Sequence, residues 1–351
     1  ATGLRLDPSG GDIDVLYVRP SRLHDISYAL EASADLRSWA EIGQAVVIPN
    51  GDGTETVRYS ALQHTSPLTP QTGFVRLRVD LASPAASANT IPVGWLRTTM
   101  APGRQTHGVS LPNPPVFVGR ISGISPDTLS FSHGSPSISM LAGEPYSLEV
   151  AAGPRAGHRI DIDHSGTNGN QVALDFASPH STLGASYGDL VGVPVMIRKH
   201  RTIAECYPPQ LFRGSADPAT ADQLQLHTGE RFRSLFLLDA GSFSQWTDVT
   251  DPEIADLGDS VLPPGAGLFV NNRGAPIDLL QFGEVRFNDF VQPLRAGVNL
   301  VAEPFPMPSS PSSRGVLRQH GFNGGLDPAA ADQLQFWQPD RVPSQDGFRT
   351  L

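Results

Sequence analysis

The chain has 351 residues, of which 39% are hydrophobic and 17% are charged, and its formal net charge is −10. This length predicts two or three hydrophobic cores, and the low charged fraction excludes a disordered, solvated coil. The acidic balance excludes nucleic acid as a partner, since phosphate binding needs a basic face. No apolar run reaches the roughly 18 residues of a membrane-spanning helix, so no membrane span is predicted.

Glycine and proline dominate the local structure that the sequence predicts. The chain has 35 glycines and 32 prolines, scattered without a period. Each proline inside a helix costs about 3 kcal/mol, so this density disfavours long helices and indicates short strands joined by tight turns. We therefore predict an all-β fold with few helices, all of them short.

Residues 1–81 predict a small β-sandwich. Within residues 73–79, and with Phe74 as an exception, Val75, Leu77 and Val79 alternate with two arginines, which is typical of a strand with one buried face. The sequence Asn-Gly-Asp-Gly at 50–53 predicts a hairpin turn. Five short strands at such spacing indicate a sandwich. The predicted strands lie at residues 12–18, 27–33, 44–48, 55–59 and 73–79.

Composition divides the rest of the chain. Residues 82–93 are rich in alanine, serine and proline, and we predict a linker there. Beyond it we predict a β-domain at 94–212 and a second at 213–351, which contains an internal repeat.

The internal repeat consists of two ten-residue segments, 217–226 and 327–336. The first reads Asp-Pro-Ala-Thr-Ala-Asp-Gln-Leu-Gln-Leu, and the second differs from it only at Ala330 and Phe336. Proline suits the first position of a helical turn, so each copy predicts a single turn followed by a strand. We expect these strands to be equivalent in two related subdomains.

Most of the chain resembles known bacterial families. Residues 27–39, Ser-Tyr-Ala-Leu-Glu-Ala-Ser-Ala-Asp-Leu-Arg-Ser-Trp, with Gly-Phe-Val-Arg-Leu-Arg-Val at 73–79, resemble a β-sandwich module of large secreted proteins of Verrucomicrobia. From about residue 94 onward the chain resembles an uncharacterised extracellular β-repeat family of Verrucomicrobia and Planctomycetes. The resemblance implies a bacterial source and secretion, and it brings neither an activity nor site residues. The matching pieces are 146–150 with Gly153 and Gly157, 197–202, 221–224 and 294–306.

Two further features bear on the compartment of the protein. The chain begins Ala-Thr-Gly, as does a mature protein after signal-peptide removal, and as does an excised fragment. Cys206 is the only cysteine, so no intramolecular disulfide can report an oxidising compartment. With the resemblance, these features predict a secreted or cell-surface protein.

One stretch predicts a metal site, and calcium is the only cofactor that the sequence indicates. Asp161, Asp163, Ser165 and Asn168 place side-chain oxygens around a glycine at the sixth position, as in the first half of a calcium loop. The twelfth position is Val172 and not the bidentate glutamate of an EF-hand. The alternative is a strand that ends in a hairpin with solvated carboxylates.

Other patterns that suggest chemistry have ordinary explanations. Residues 184–188 fit the Gly-x-Ser-x-Gly nucleophile elbow, but their flanks have turn composition and lack the helix that this elbow needs. Cys206 is near His200 only in sequence, and we predict a buried, unreactive thiol. His158 and His164 are too far apart along a strand to share one metal. We therefore predict that the chain is not an enzyme.

Two non-enzymatic functions remain. A structural protein needs stable β-units with reusable edges, which the repeat and the turns supply. A carbohydrate-binding or adhesive module of a larger secreted protein needs exposed aromatic rings, and this is the alternative. The aromatic candidates are Trp39, Trp95, Trp246, Trp337, Tyr17, Tyr28 and Tyr59.

The second repeat copy predicts self-assembly. Residues 332–338 carry one charge and no proline, so this strand edge is open to pairing. A strand from a neighbouring copy, for which we suggest residues 1–20, would complete it by β-augmentation and give a homo-oligomer, a ring or a filament. A second interpretation is that the missing strands follow residue 351 in a longer native chain.

Overall fold

Short strands account for most of the regular structure. In the computed structural model 48% of the described residues are in strands and 6% are helical, which confirms the all-β prediction. No helix of the described residues is long and apolar enough to cross a membrane. The described helices are α1 (Ile203–Cys206) and the 3₁₀ turns η1 (Gly188–Leu190), η2 (Pro209–Leu211), η3 (Ser312–Arg314) and η4 (Arg318–His320). The described residues are 4–9, 12–21, 25–60, 72–82, 86–132, 144–168, 171–184, 188–228, 231–251, 253–327, 330–337 and 348–350.

The N-terminal part is a sandwich of two antiparallel sheets. The first sheet consists of β1 (Arg5–Ser9), β2 (Asp12–Pro20), β5 (Val46–Pro49) and β6 (Thr54–Tyr59). Its strand order is β1-β2-β6-β5. The predicted hairpin turn joins β5 to β6, with Gly51 and Gly53 at φ of 81° and 85°. The N–H of Asn50 donates to the carbonyl of Thr54 at 3.0 Å, which closes this turn.

The second sheet of the sandwich extends beyond the predicted N-terminal domain. Its strands are β3 (Ile26–Ser33), β4 (Ala40–Glu41), β7 (Thr72–Leu81), β8 (Ala86–Asn89), β9 (Val93–Met100) and β23 (Ile277–Glu284). The order is β23-β9-β7-β3-β4, with β8 beside β7. Residues 86–89 of the predicted linker are therefore a strand, because their backbone pairs with β7.

The core of the sandwich lies between the inward faces of the two sheets. Ile13, Val15 and Tyr17 of β2 alternate along the strand and are buried against Leu30 and Trp95 of the second sheet. Each such side chain contributes about 1.5–3 kcal/mol when it is fully buried. The period-2 pattern in the sequence thus points its apolar side chains into a single core.

The middle of the chain closes into a six-stranded barrel. Its strands are β11 (Pro115–Ile124), β12 (Thr128–Phe131), β13 (Tyr146–Val150), β14 (Arg159–Asn168), β15 (Gln171–Asp175) and β16 (Pro194–Lys199). They follow the order β11-β12-β15-β14-β13-β16, and β16 pairs again with β11. Leu148, Ile160 and Ile197 are among the fully buried side chains of the barrel interior.

A third sheet packs around Trp246. Its strands are β10 (Gly103–Gly108), β18 (Gln223–His227), β19 (Phe232–Asp239), β20 (Ser244–Asp248) and β22 (Gly267–Asn272). The order is β10-β22-β18-β19-β20. Beside it, β17 (Arg201–Thr202) pairs with β21 (Val261–Leu262). Helix α1 starts at a capping box in which Thr202 and Glu205 satisfy each other's backbone N–H.

The three units do not follow the order of the chain. Strand β9 belongs to the sandwich and β10 to the third sheet, although both lie at the start of the predicted domain 94–212. Strand β23 returns from the predicted domain 213–351 to the sandwich, where Ile277 pairs with Met100 and Glu284 with Val93. The last described strands, β24 (Gln335–Trp337) and β25 (Phe348–Thr350), form a separate two-stranded hairpin.

Candidate functional site

The two acidic residues of the predicted calcium loop have different partners. On β14, Asp161 lies with one carboxylate oxygen 2.8 Å from Nε2 of His200. Asp163 accepts the backbone N–H and the hydroxyl of Ser165 at 2.9 and 2.7 Å, and these bonds lower its pKa. The side chain of Asn168 lies outside the described residues. Among the residues that are described, no three His, Cys, Asp or Glu side chains are arranged to hold a metal, and calcium stays a prediction.

Asp161 is the centre of a polar cluster at the edge of the barrel. Its second oxygen accepts the hydroxyl of Ser178 at 2.6 Å. Burial would raise the pKa of Asp161, but the bonds from His200 and Ser178 outweigh burial and lower it. In a hydrolytic triad the serine bonds to the histidine, whereas here both groups bond to the aspartate. This arrangement suits a structural hydrogen-bond network centred on Asp161.

The remaining candidates of the sequence are accounted for individually. Cys206 is buried as predicted, and burial raises the pKa of its thiol to about 12, which disfavours the reactive thiolate. His158 bonds to the carbonyl of Thr182 at 3.0 Å. The ring of His164 meets Tyr146 edge-on. Residues 185–187, at the centre of the suggested nucleophile elbow, lie outside the described residues.

The described aromatic candidates do not form an open stacking platform. Trp95, Trp246, Tyr17 and Tyr59 are buried in the cores. Half-buried Trp39 and Tyr28 have their faces covered by guanidinium groups, that of Arg76 at 4.2 Å and that of Arg19 at 5.5 Å. The side chain of Trp337 lies outside the described residues.

Four buried charged side chains connect the barrel to the sandwich. Glu149 of β13 pairs with Arg286, and Nε of Arg198 lies 3.4 Å from its other oxygen. Arg198 also donates to Glu284 of β23 at 2.5 Å. Burial would raise the pKa of Glu149, but the charges of Arg286 and Arg198 outweigh it and hold the pKa below its usual value. This cluster ties the two units together.

A small cavity adjoins the charge cluster. Its volume is about 10 Å³, and Arg201, Arg286 and Val109 are among the residues that line it. This volume suits about one water molecule and is too small for an organic ligand. We therefore interpret the cavity and the charges around it as structural features.

The first repeat copy is a closed loop that leads into β18, the central strand of the third sheet. Fully buried Asp222 accepts the N–H of Arg213 at 2.7 Å and the N–H of Arg273, just after β22, at 2.6 Å. Its own N–H donates to the carbonyl of Arg213 at 2.9 Å. The carbonyl of Asp217 accepts the N–H groups of Thr220 and Ala221, which is the single turn that the sequence predicts.

The second copy repeats the hydrogen bonds that lie within this loop. The carboxylate of Asp332 accepts the N–H of Asn323 at 2.7 Å, and its own N–H donates to the carbonyl of Asn323 at 2.8 Å. The carbonyl of Asp327 accepts the N–H groups of Ala330 and Ala331. The nearly identical sequence thus has the same local structure, over the part of the turn that the structure describes.

The likeness extends into a hairpin that sequence reasoning missed. Gln225 pairs with Ser234 and Leu226 with Arg233 between β18 and β19. Between β24 and β25, the equivalent Gln335 pairs with Thr350 and Phe336 with Arg349, in the same register. The signal in the sequence is Phe-Arg-Ser-Leu at 232–235 and Phe-Arg-Thr-Leu at 348–351. Because more residues separate the two segments in the second copy, a comparison at one fixed offset does not align them.

The two copies differ in what covers them. In the first, β22 pairs with the second edge of β18, and Leu224 is fully buried opposite Val270. In the second, β24 pairs with β25 and with no other strand of the described residues. Leu334, the equivalent of Leu224, is only half-buried, and Phe336 is 41% exposed.

A groove of about 270 Å³ opens beside the second copy. Val316, Leu317 and Phe322 in its lining precede the second copy by the same number of residues as Cys206, Tyr207 and Phe212 precede the first. In the first copy these three side chains are buried around Trp246. The ring of Phe212 lies 5.3 Å from that of Trp246, whose N–H donates to the carbonyl of Tyr207. The groove is therefore the open counterpart of a packed core. Its lining includes Val316, Leu317, Phe322, Asp332 and Leu334.

Comparison with protein-family models, with curated proteins and with solved structures finds no match to this chain.

Proposed function

We propose that this chain is a secreted, non-enzymatic structural protein of the cell surface or extracellular matrix that assembles by adding a strand to its second repeat copy. The observation that carries the proposal is the difference between the copies. Both form the same loop and the same hairpin register, but only the first is covered by further strands of the described chain. An open strand edge with exposed apolar side chains is a template for pairing with another segment.

The rest of the molecule supports a structural function. The chain passes from the sandwich to the third sheet between β9 and β10 and returns to the sandwich at β23, and the buried charge cluster around Glu149 joins the barrel to the sandwich. The carbohydrate-binding alternative has less support, because Trp95 and Trp246 are buried and the face of Trp39 is covered by Arg76.

The donor strand differs from our suggestion from sequence. Residues 5–9 and 12–20 form β1 and β2 of the sandwich, and Ile13 and Val15 are fully buried there. Donating this segment would expose a core, so the donor lies elsewhere. Donor and acceptor surfaces are then different, and repetition of the contact gives a ring or an open filament.

Sedimentation velocity and electron microscopy of the purified chain test this function. We expect oligomers that grow with protein concentration, and loss of these oligomers when Leu334 and Phe336 are both replaced by serine. Val118→Ser on the barrel is the matched control, because Val118 is 64% exposed and belongs to β11, outside the repeat. A chain that is strictly monomeric at every concentration would overturn the proposal.

A further inference from the structure

The first repeat copy shows which strand completes a hairpin of this kind. Strand β22 lies antiparallel to β18, with Leu224 opposite Val270 and Leu226 opposite Leu268. Leu268 and Val270 are buried in the same core as Leu224. The N–H of Arg273 then reaches the carboxylate of Asp222 at 2.6 Å. The strand therefore supplies apolar side chains at alternate positions and one backbone donor beyond its end.

The second copy presents the same acceptors without that strand. Leu334 and Phe336 occupy the positions of Leu224 and Leu226, and Phe336 is 41% exposed. The carboxylate of Asp332 accepts the N–H of Asn323, as the carboxylate of Asp222 accepts that of Arg213 in the first copy. Asp332 is exposed, and within the described part of the chain no strand beside β24 brings it a second backbone donor.

Resting on the proposed function, we infer that the second copy binds an extended segment with the chemistry of β22. That segment has apolar residues two positions apart that face Leu334 and Phe336, and a free backbone N–H that donates to Asp332. A basic residue at the donating position, as in Arg273, also complements the charge of the Asp332 carboxylate. Main-chain pairing with β24 gives affinity, and the alternate side chains and Asp332 give the register.

The probe for this inference is a fluorescent synthetic peptide of residues 266–274, added to the full chain and followed by anisotropy. We expect saturable binding. Asp332→Asn should weaken it at least about tenfold, because the neutral amide keeps only one acceptor oxygen for the two backbone N–H donors. A peptide with Arg273→Pro, which has no N–H at that position, should lose as much. When the Asp332→Asn chain is tested with the Arg273→Pro peptide, the two losses of affinity should not add, because both changes remove the same hydrogen bond.

Two controls distinguish a specific loss of peptide binding from a loss of folding. Near-ultraviolet circular dichroism should be unchanged in Asp332→Asn, and Leu334→Ser should weaken binding as a second, apolar variant. Absence of binding, or binding that neither Asp332→Asn nor Arg273→Pro weakens, overturns the inference. If the chain assembles but does not bind the peptide, the proposed function stands without it. If the peptide binds as expected but the chain stays monomeric, the inference stands and self-assembly fails.

Discussion

Asp222 and Arg273 are joined by a 2.6 Å hydrogen bond from the backbone N–H of Arg273 to the carboxylate. The bond closes the first repeat loop against the end of β22. In the second copy the equivalent aspartate, Asp332, is exposed. The same residue in the same local loop is thus part of a core in one copy and of a surface in the other.

This pair of aspartates gives a matched prediction for stability. Asp222→Ala should lower the free energy of unfolding by about 3 kcal/mol, because it removes a fully buried carboxylate that accepts the N–H groups of both Arg213 and Arg273. Asp332→Ala should cost less than about 1 kcal/mol, because water can hydrate the exposed N–H of Asn323. Urea unfolding followed by tryptophan fluorescence measures both. Equal losses would contradict the difference in burial between the copies.

The buried charge cluster predicts a second effect on stability. Glu149→Gln should destabilise the chain by about 3–5 kcal/mol, because Arg286 is left with a neutral partner in a buried site and Arg198 keeps only Glu284. The control is Asp189→Asn, which breaks an exposed pair with Arg155 and should cost less than about 1 kcal/mol. Thermal melts of the two variants compare them. A Glu149→Gln protein as stable as the control would show that the cluster does not hold the units together.

His107 predicts a dependence of stability on pH. Burial lowers the pKa of His107 to about 4 from the usual 6.5, and its Nδ1 lies 2.7 Å from the hydroxyl of Tyr207. Because the folded pKa is depressed, the unfolded chain binds the proton first as the pH falls. Above pH 6.5 the ring is neutral in both the folded and the unfolded chain, and its contribution to the free energy of unfolding is complete. Between pH 6.5 and 4 the unfolded chain is protonated and the folded chain is not, so the free energy of unfolding falls by at most about 3 kcal/mol.

Urea midpoints between pH 7.5 and 4 measure this loss, with His107→Gln as the comparison. The glutamine side chain does not titrate, so the variant should lose less stability than the parent chain over the same interval. Other groups titrate in both proteins and cancel in the difference. Parallel midpoint curves would show that His107 is not the group responsible.

Calcium binding at Asp161 and Asp163 remains testable by melting. If an ion binds the folded loop, millimolar calcium should raise the melting temperature relative to EDTA, and Asp163→Asn should remove the increase. Calcium must compete there with His200 and Ser178 for the carboxylate of Asp161. Identical melting curves in calcium and in EDTA would eliminate the site.

Local patterns predicted most of the strands but not their partners. The alternation at 73–79 and the turn at 50–53 predict β7 and the β5–β6 hairpin, because side-chain period and turn chemistry act over a few residues. The linker prediction at 82–93 used composition alone, and β8 forms there because the free edge of β7 accepts its backbone. No local signal identifies such an edge.

By itself, the sequence determined that this protein is made of short strands and that two loops of it have the same local structure. Proline and glycine density and the near-identity of 217–226 with 327–336 suffice for that, since they act through local backbone preference. Only the tertiary structure decided that β23 completes the sandwich and that Asp222 is buried while Asp332 is exposed. Strand pairing over long separations and burial depend on which surfaces meet, and that is a property of the packed chain and not of any segment in it.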